Sequence, residues 1–268
     1  MNTLSFVHLT DLHLVAPGQS LYGLDPAERL RAAVHSICRR HGPDAATPAA
    51  FAVITGDLAH LGEVAAYESL ADIIKGLPFP CHLLLGNHDE REAFLSVFGG
   101  VPTTPEGHVQ QALSTPAGLF VMLDTNEAGT HAGKLGEERL ARLSATLEYS
   151  TDPVFLFLHH PPVASGIVGM DRIPLLDADA LWQTLKPHRQ RIRHIFHGHL
   201  HRPLAGSWHG IPFSSLRGTN HQVTLDFAEN TKVLGNHEPP AYAFVRISDE
   251  EVVVHTHDYL DAPEGFGM

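Results

Sequence analysis

The chain has little cysteine, little positive charge and no long apolar run. Its two cysteines, Cys38 and Cys81, are too few for a disulfide framework or a thiolate metal cluster, and read as small core residues. Lys and Arg total 18 against 30 Asp and Glu, for a formal charge of -12, which excludes the broad basic surface that tracks long nucleic acid. No apolar stretch approaches the ~18 residues of a membrane span, and the start, Met1-Asn2-Thr3-Leu4, lacks a basic leader region. The expectation is a soluble cytoplasmic protein without a membrane or long nucleic acid as partner.

Histidine, by contrast, is abundant, at 21 residues. Most have no motif around them. The exceptions sit in five short pieces: Thr10-Asp11-Leu12-His13, Gly56-Asp57, Gly86-Asn87-His88-Asp89, His159-His160-Pro161 and Gly198-His199-Leu200-His201. Each piece closes an apolar run, so all can meet where strands end, which is where parallel sheets place their ligands. Asp11 and His13 lie two apart and can face one ion; His199 and His201, also two apart, can serve neighbouring ions. Gly56 lets the backbone turn tightly beside a cation at Asp57, and Asn87 offers an amide oxygen that ligates without adding charge. These donors exceed the needs of one ion, and a carboxylate such as Asp57 can bridge two ions about 3.5 to 4 Å apart, the spacing used for displacement at phosphorus.

The apolar pattern places these pieces on an α/β scaffold. Strands are expected at Leu4 to Leu9, Phe51 to Thr55, His82 to Leu85, Leu119 to Leu123, Val154 to Leu158 and Ile195 to His197. Asp25-Pro26-Ala27-Glu28 gives an N-cap, a proline at the first helical position and a capping acid. Leu30, Ala33, Val34, Ile37 and Cys38 then form a helical stripe. Further helices are expected over Glu63 to Lys75, Glu137 to Glu148 and Ala178 to Lys186. The alternation implies parallel pairing with helices on both faces. Ile211 to Leu216, Val223 to Phe227, Tyr242 to Ile247 and Val252 to Thr256 follow without helices, as antiparallel additions to one sheet. The expected architecture is a four-layer α/β/β/α sandwich of two mixed sheets flanked by helices, forming a single domain over 1–268. Residues 223–268 are expected to supply C-terminal strands that cap the site or meet another subunit of a homo-oligomer.

In order and spacing, the five pieces resemble the calcineurin-like metallophosphoesterases, in which D-x-H, G-D, G-N-H-[DE], H and G-H-x-H follow one another. Leu21-Tyr22-Gly23, His159-His160-Pro161-Pro162 and Gly218-Thr219-Asn220-His221-Gln222-Val223 are similar to the class III cyclic nucleotide phosphodiesterases and glycerophosphodiesterases within that superfamily. The resemblance implies the same sandwich fold. It puts Asp11, His13, Asp57 and His201 on one ion and Asp57, Asn87, His159 and His199 on the other, with His160 as a hydrogen-bond partner behind His159. The mixed N and O donors suit two divalent transition-metal ions from among Fe, Mn, Zn and Co. Two such ions lower the pKa of a shared water from 15.7 toward ~7, and the resulting hydroxide attacks the phosphorus of a small phosphodiester in line with the leaving alkoxide. His88 adjoins a ligand without being one in the family pattern, which makes it the candidate general acid, with Asp89 orienting its ring. His60, His221 and Tyr22 are candidate substrate contacts, followed by Arg172 and Arg217. Asp124, at a strand end, reads as a structural acceptor.

Two other functions use the same motifs: a phosphomonoesterase or protein phosphatase with the same metal centre, and a non-catalytic metal-binding scaffold. The first calls for extra cationic contacts, and this acidic chain offers no obvious arginine pair beside the ligand turns; the second characteristically loses ligands or the turn histidine, and here both are present. A second G-N-H-[DE] match, Gly235-Asn236-His237-Glu238, comes after the G-H-x-H piece and runs into two prolines. It reads as a loop or part of a substrate-capping segment. Asn87→Ala is expected to lower bound metal, measured by elemental analysis, while Asn236→Ala leaves it unchanged; equal loss from both would overturn this choice between the copies.

Overall fold

A computed structural model describes residues 3–228 and 232–260. The initial pair 1–2 and the parts of the 223–268 segment at 229–231 and 261–268 lie outside the described residues. In chain order the elements begin with β1 (Leu4–Leu9), α1 (Pro26–His41), β2 (Ala52–Thr55), α2 (Val64–Ile74), β3 (Cys81–Leu84), α3 (Arg91–Val97), β4 (Gln111–Thr115) and β5 (Gly118–Met122). There follow α4 (Gly136–Tyr149), β6 (Val154–Leu158), α5 (Ala178–Leu185), β7 (Ile192–His197), β8 (Leu204–Trp208) and β9 (Ile211–Ser215). The last strands are β10 (Gln222–Val223), β11 (Gly235–Asn236), β12 (Ala241–Ile247) and β13 (Val252–Asp258). Among the described residues no helix is long and apolar enough to cross a membrane.

Two mixed sheets face each other, in the orders β13-β12-β1-β2-β3 and β4-β5-β6-β7-β9-β8. Their inner faces share one core in which Phe6 and Val53 of the first sheet meet Phe120, Phe155, Phe157 and Phe196 of the second. On the outside, Leu30, Ala33, Val34 and Ile37 of α1 and Tyr67 and Leu70 of α2 cover the first sheet, while Leu143, Leu147, Leu181 and Leu185 of α4 and α5 cover the second. Four layers result, α/β/β/α. Burial on both faces explains why β6 reads as an unbroken apolar run; β1 is likewise buried at every position, with Ser5 and His8 among its apolar residues. The α1 start follows its sequence signal: the Asp25 carboxylate accepts from the amides of Ala27 and Glu28 at 2.9 and 3.1 Å.

The late strands divide differently from the expectation of additions to one sheet. β12 extends the first sheet antiparallel to β1, and β13 antiparallel to β12, but β9 lies parallel to β7 in the second sheet and pairs antiparallel with β8. The strand expected over Val223 to Phe227 reduces to Gln222–Val223, paired with Gly235–Asn236 in a separate ribbon. α3 and β4 had no clear signal. α3 has seven residues, too few to establish a period, and β4 is an edge strand without a fully buried side chain.

Phe6 is the hub of the inter-sheet core, its ring centroid 5.4 to 5.7 Å from those of Phe51, Phe120, Phe157 and Phe196. Phe6→Ala is expected to lower unfolding stability by about 3 to 5 kcal/mol, read from chemical denaturation; a loss under about 1 kcal/mol would mean that the two sheets close over the cavity.

Candidate metal centre

The carboxyl ends of parallel strands from both sheets deliver the site. β1 leads to Asp11 and His13, β2 to Asp57, β3 to Asn87 and His88, β6 to His159, and β7 to His199 and His201. The loops beyond β1 and β2 stay side by side after the strands end, through Asp11 N–H to the Gly56 carbonyl at 3.1 Å and His13 N–H to the Asp57 carbonyl at 2.9 Å. Gly198 N–H joins the β7 loop to the His159 carbonyl in the same way. Of the seven non-glycine residues with left-handed backbone among the described residues, five are Asp11, His13, Asp57, His199 and His201, with φ between 47 and 70°. L-residues adopt that region at a cost, and its concentration at one place marks a site that the surrounding structure holds in shape. Gly56 shows how tight the turn is: a Cβ there would lie 2.6 Å from His159 Nδ1 and 2.7 Å from the Gly86 amide.

The imidazoles are arranged alike. His159 Nδ1 donates to the Thr55 carbonyl at 2.8 Å, His201 Nδ1 to the His221 carbonyl at 2.8 Å, and His199 Nε2 to the Ile173 carbonyl at 3.1 Å. Each outward bond fixes the tautomer and leaves the other nitrogen a lone pair. Those nitrogens face oxygens: His159 Nε2 lies 3.1 Å from Asn87 Oδ1 and 3.4 Å from Asp57 Oδ1, and His199 Nδ1 lies 2.9 Å from Asn87 Oδ1. On the other side His13 Nε2 and His201 Nε2 approach to 3.0 Å, with Asp57 Oδ2 3.3 Å from the first and Asp11 Oδ1 3.5 Å from the second. Asp11 Oδ2 is buried with no hydrogen-bond partner. Acceptors turned toward acceptors in a buried place require positive charge between them. The donor set therefore fits a metal, and Asp11, His13, Asp57 and His201 bring four ligand atoms within 4.8 Å of one another.

The titration of these groups follows the same logic. Burial pushes His13 and His199 well below the usual histidine value, so both keep the lone pair a cation needs. His159 differs: burial acts downward, but the Asp57 carboxylate outweighs it and pushes the ring up to about 9, so a cation bound beside Asp57 would take the place of the second proton on this ring. Asp57 itself is held well below the usual carboxylate range, because His159 and His13 outweigh the upward effect of its burial. His160 differs from its neighbour. Its Nδ1 meets the Thr125 hydroxyl at 2.8 Å and its Nε2 donates to the His131 carbonyl at 3.1 Å, so both ring nitrogens are engaged.

His88 lies on the pocket wall, edge-on to His13 at 4.7 Å and stacked on His60 at 5.0 Å. Its backbone N–H holds Asp57 Oδ1 at 2.9 Å, and its Nδ1 donates to the His60 carbonyl at 2.8 Å. The orienting role expected of Asp89 is therefore corrected. The Asp89 carboxylate accepts from the amides of Leu58, Ala59 and Gly86 at 2.8 to 3.0 Å and from the Tyr67 hydroxyl at 3.0 Å. Those four donors occupy both oxygens, and the residue ties the β2 loop to the β3 loop instead of touching the His88 ring. Burial, and then Asp57, push its carboxyl up to about 6.

His60, His221 and Tyr22 all line the same pocket, of about 460 Å³, with the Tyr22 ring 4.7 Å from that of His221. Arg172 and Arg217 do not line it, and Arg217 pairs with Asp258. Asp124 accepts from Arg91 and from the amides of Val109 and Asn126, as a structural acceptor does. His131 went unrecognised in the sequence. Its Nδ1 lies 3.0 Å from Asn87 Nδ2 and its ring 5.1 Å from that of His88. The usable signal was its position, since it follows Gly129-Thr130 in the loop leaving β5, another parallel strand that ends at the site. Gly235, Asn236 and His237 of the second G-N-H-E copy also lie on the pocket, but the Asn236 amide is spent on Thr224 and Glu238.

Known proteins resemble the chain in sequence and in fold. The chain is 47% identical over 265 residues to a probable cyclic nucleotide phosphodiesterase of Rhodopseudomonas palustris, covering 97% of this chain and 94% of that protein. It is 28% identical over 258 residues to a glycerophosphodiester phosphodiesterase of Enterobacter lignolyticus, covering 93% and 89%. A dimetal phosphatase from Danio rerio has the same fold, with a TM-score of 0.69 at 16% identity over 96% of each chain. The family model described as calcineurin-like phosphoesterase matches residues 4–203, and the chain belongs to that family.

Proposed function

We propose that the chain is a binuclear metal-dependent phosphodiesterase that hydrolyses small diesters of the kinds its relatives' names give, cyclic nucleotides or glycerophosphodiesters. One observation carries the reading: the two oxygens of Asp57 face different histidines, Oδ2 toward His13 at 3.3 Å and Oδ1 toward His159 at 3.4 Å. A carboxylate so placed can belong to two ligand sets at once. Asp11, His13, Asp57 and His201 would hold one ion and Asp57, Asn87, His159 and His199 the other, each a divalent transition metal of the Fe, Mn, Zn or Co class. When bound, such ions supply a nucleophile of hydroxide strength at neutral pH and neutralise phosphoryl oxygens.

The chain's own groups do the rest. His88 Nδ1 is committed to the His60 carbonyl, so the acid is the doubly protonated ring: Nε2 gives its proton to the leaving alkoxide as the P–O bond breaks, and the ring is left neutral. His60, stacked on His88, keeps that ring in place, and His221 with Tyr22 borders the substrate space. No lysine or arginine occurs among the described residues that line the pocket. A monoester dianion needs more positive charge than a diester monoanion, so the lining favours the diester over the phosphomonoesterase reading.

With added Mn, bis(p-nitrophenyl) phosphate is expected to be hydrolysed well ahead of p-nitrophenyl phosphate. The reverse order would favour the monoesterase, and inactivity toward both the scaffold. His88→Ala is expected to slow diesters with alkyl leaving groups by about 10² to 10⁴ and to slow p-nitrophenyl diesters far less, because nitrophenolate leaves without a proton. Equal losses for the two classes would remove His88 from the acid role.

A further inference from the structure

The pocket has two unlike halves. Besides its histidines and carboxylate, the pocket has an apolar wall of Met170, Ile173, Val223 and Val233. Its outer part is the ribbon of β10 and β11, two residues against two, with Gln222 facing Asn236 and Val223 facing Gly235. So short a ribbon has no stability of its own in water.

Arg202 holds it. This residue directly follows His201, and its Nη1 donates to the Val223 carbonyl at 3.1 Å and to both carboxylate oxygens of Glu238 at 2.8 Å. One guanidinium thus joins the strand before the ribbon's turn to the segment after it, and fixes both to the loop that carries His199 and His201. Side-chain packing adds a second anchor. A Cβ on Gly166 would come within 3.3 Å of the Phe227 ring, and one on Gly169 within 2.8 Å of Val233 Cγ2, so Phe227 and Val233, which lie between the two ribbon strands in the sequence, sit directly on the backbone of Gly166 and Gly169.

The polar groups of this wall are already spent. Asn236 is bonded to Thr224 and Glu238, Glu238 to Arg202, and the Gln222 amide to both the N–H and the carbonyl of Gly218. A polyol entering this half would leave hydroxyls unpaired, which costs affinity. A flat heteroaromatic ring buries its faces on such a wall at little cost and keeps its polar edge toward the rim, where Tyr22 and His237 are exposed.

We infer that the ribbon clamped by Arg202 is a specificity wall that receives the nucleoside side of a nucleotide diester, with Val223 and Val233 as its contact residues and Arg202 as its positioning residue. The inference rests on the phosphodiesterase reading above and narrows it from small diesters in general to those carrying a nucleobase.

Steady-state kinetics on cyclic AMP, glycerophosphoethanolamine and bis(p-nitrophenyl) phosphate test it, with wild type, Val233→Asp, Arg202→Ala and Arg202→Lys. Wild type is expected to prefer cyclic AMP over glycerophosphoethanolamine in kcat/KM. Val233→Asp and Arg202→Ala are expected to cut that preference about tenfold, through KM for cyclic AMP more than through kcat. Arg202→Lys keeps the charge but loses the planar fork, so it is expected to recover part of the preference. A wild type that prefers glycerophosphoethanolamine, or variants in which both substrates weaken together, would overturn the wall. Loss of bound metal in Arg202→Ala would overturn the positioning role, since the arginine would then act through His201. Turnover of bis(p-nitrophenyl) phosphate alone would overturn this inference and leave the phosphodiesterase reading standing; turnover of no diester would remove both.

Discussion

The site depends on one arrangement: imidazoles that donate outward to backbone carbonyls and present lone pairs inward to carboxylate and amide oxygens. Thr55, Ile173 and His221 supply the three carbonyls. In water such an inward array would rotate apart, each acceptor finding a donor of its own. Here burial removes the water and the backbone bonds fix the rings, so the array calls for positive charge, which a proton on His159 or a bound cation would supply. The left-handed residues belong to the same account. Five side chains held in a costly backbone region persist because the strand-end hydrogen bonds around them leave no cheaper alternative.

The sandwich is what makes that fixation possible. Parallel strands from two facing sheets end on one side of the molecule, so ligands separated by nearly two hundred positions, Asp11 and His201, come together without long structureless loops. The buried polar residues behind the ligands then act as ties between loops. Asp89 joins the β2 loop to the β3 loop through four donors, and Asn126 reaches from the β5 loop to the carbonyls of Gly86 and Asp89. Asp124 holds Arg91 at the start of α3. The turn bearing Asn87 and His88 is thereby fixed from both sheets, which keeps an amide oxygen aimed at two histidines.

Whatever depends on a short chemical pattern was legible in the sequence; whatever depends on which neighbour a strand finds was not. The ends of β1, β2, β3, β6 and β7 could be read because an apolar run stops at a glycine or at an Asp/His pair, and the ligand pieces occupy those stops. The placement of β9 could not, because a strand without a preceding helix gives no sign of which sheet it will join. Asp89 was misassigned for a related reason: adjacency to His88 suggested a contact, but the tight turn sends its carboxylate back toward the amides of Leu58 and Ala59. His131 carries no motif and is recruited by geometry alone, through the Asn87 amide.

The two G-N-H-[DE] segments show how little four residues determine by themselves. In the first, Asn87 follows β3, the parallel strand at the edge of the first sheet, and the loops from β6 and β7 bring His159 and His199 against its side-chain oxygen at 3.1 and 2.9 Å. In the second, Asn236 lies in the short ribbon, where its side chain is consumed by Thr224 and Glu238 before it can meet a ligand. The same letters build the floor of the pocket in one place and its rim in the other. On the reading proposed above, the floor would hold the metals and the ribbon would meet the substrate, the two being joined by Arg202 at Val223 and Glu238 and by the His221 carbonyl at His201 Nδ1.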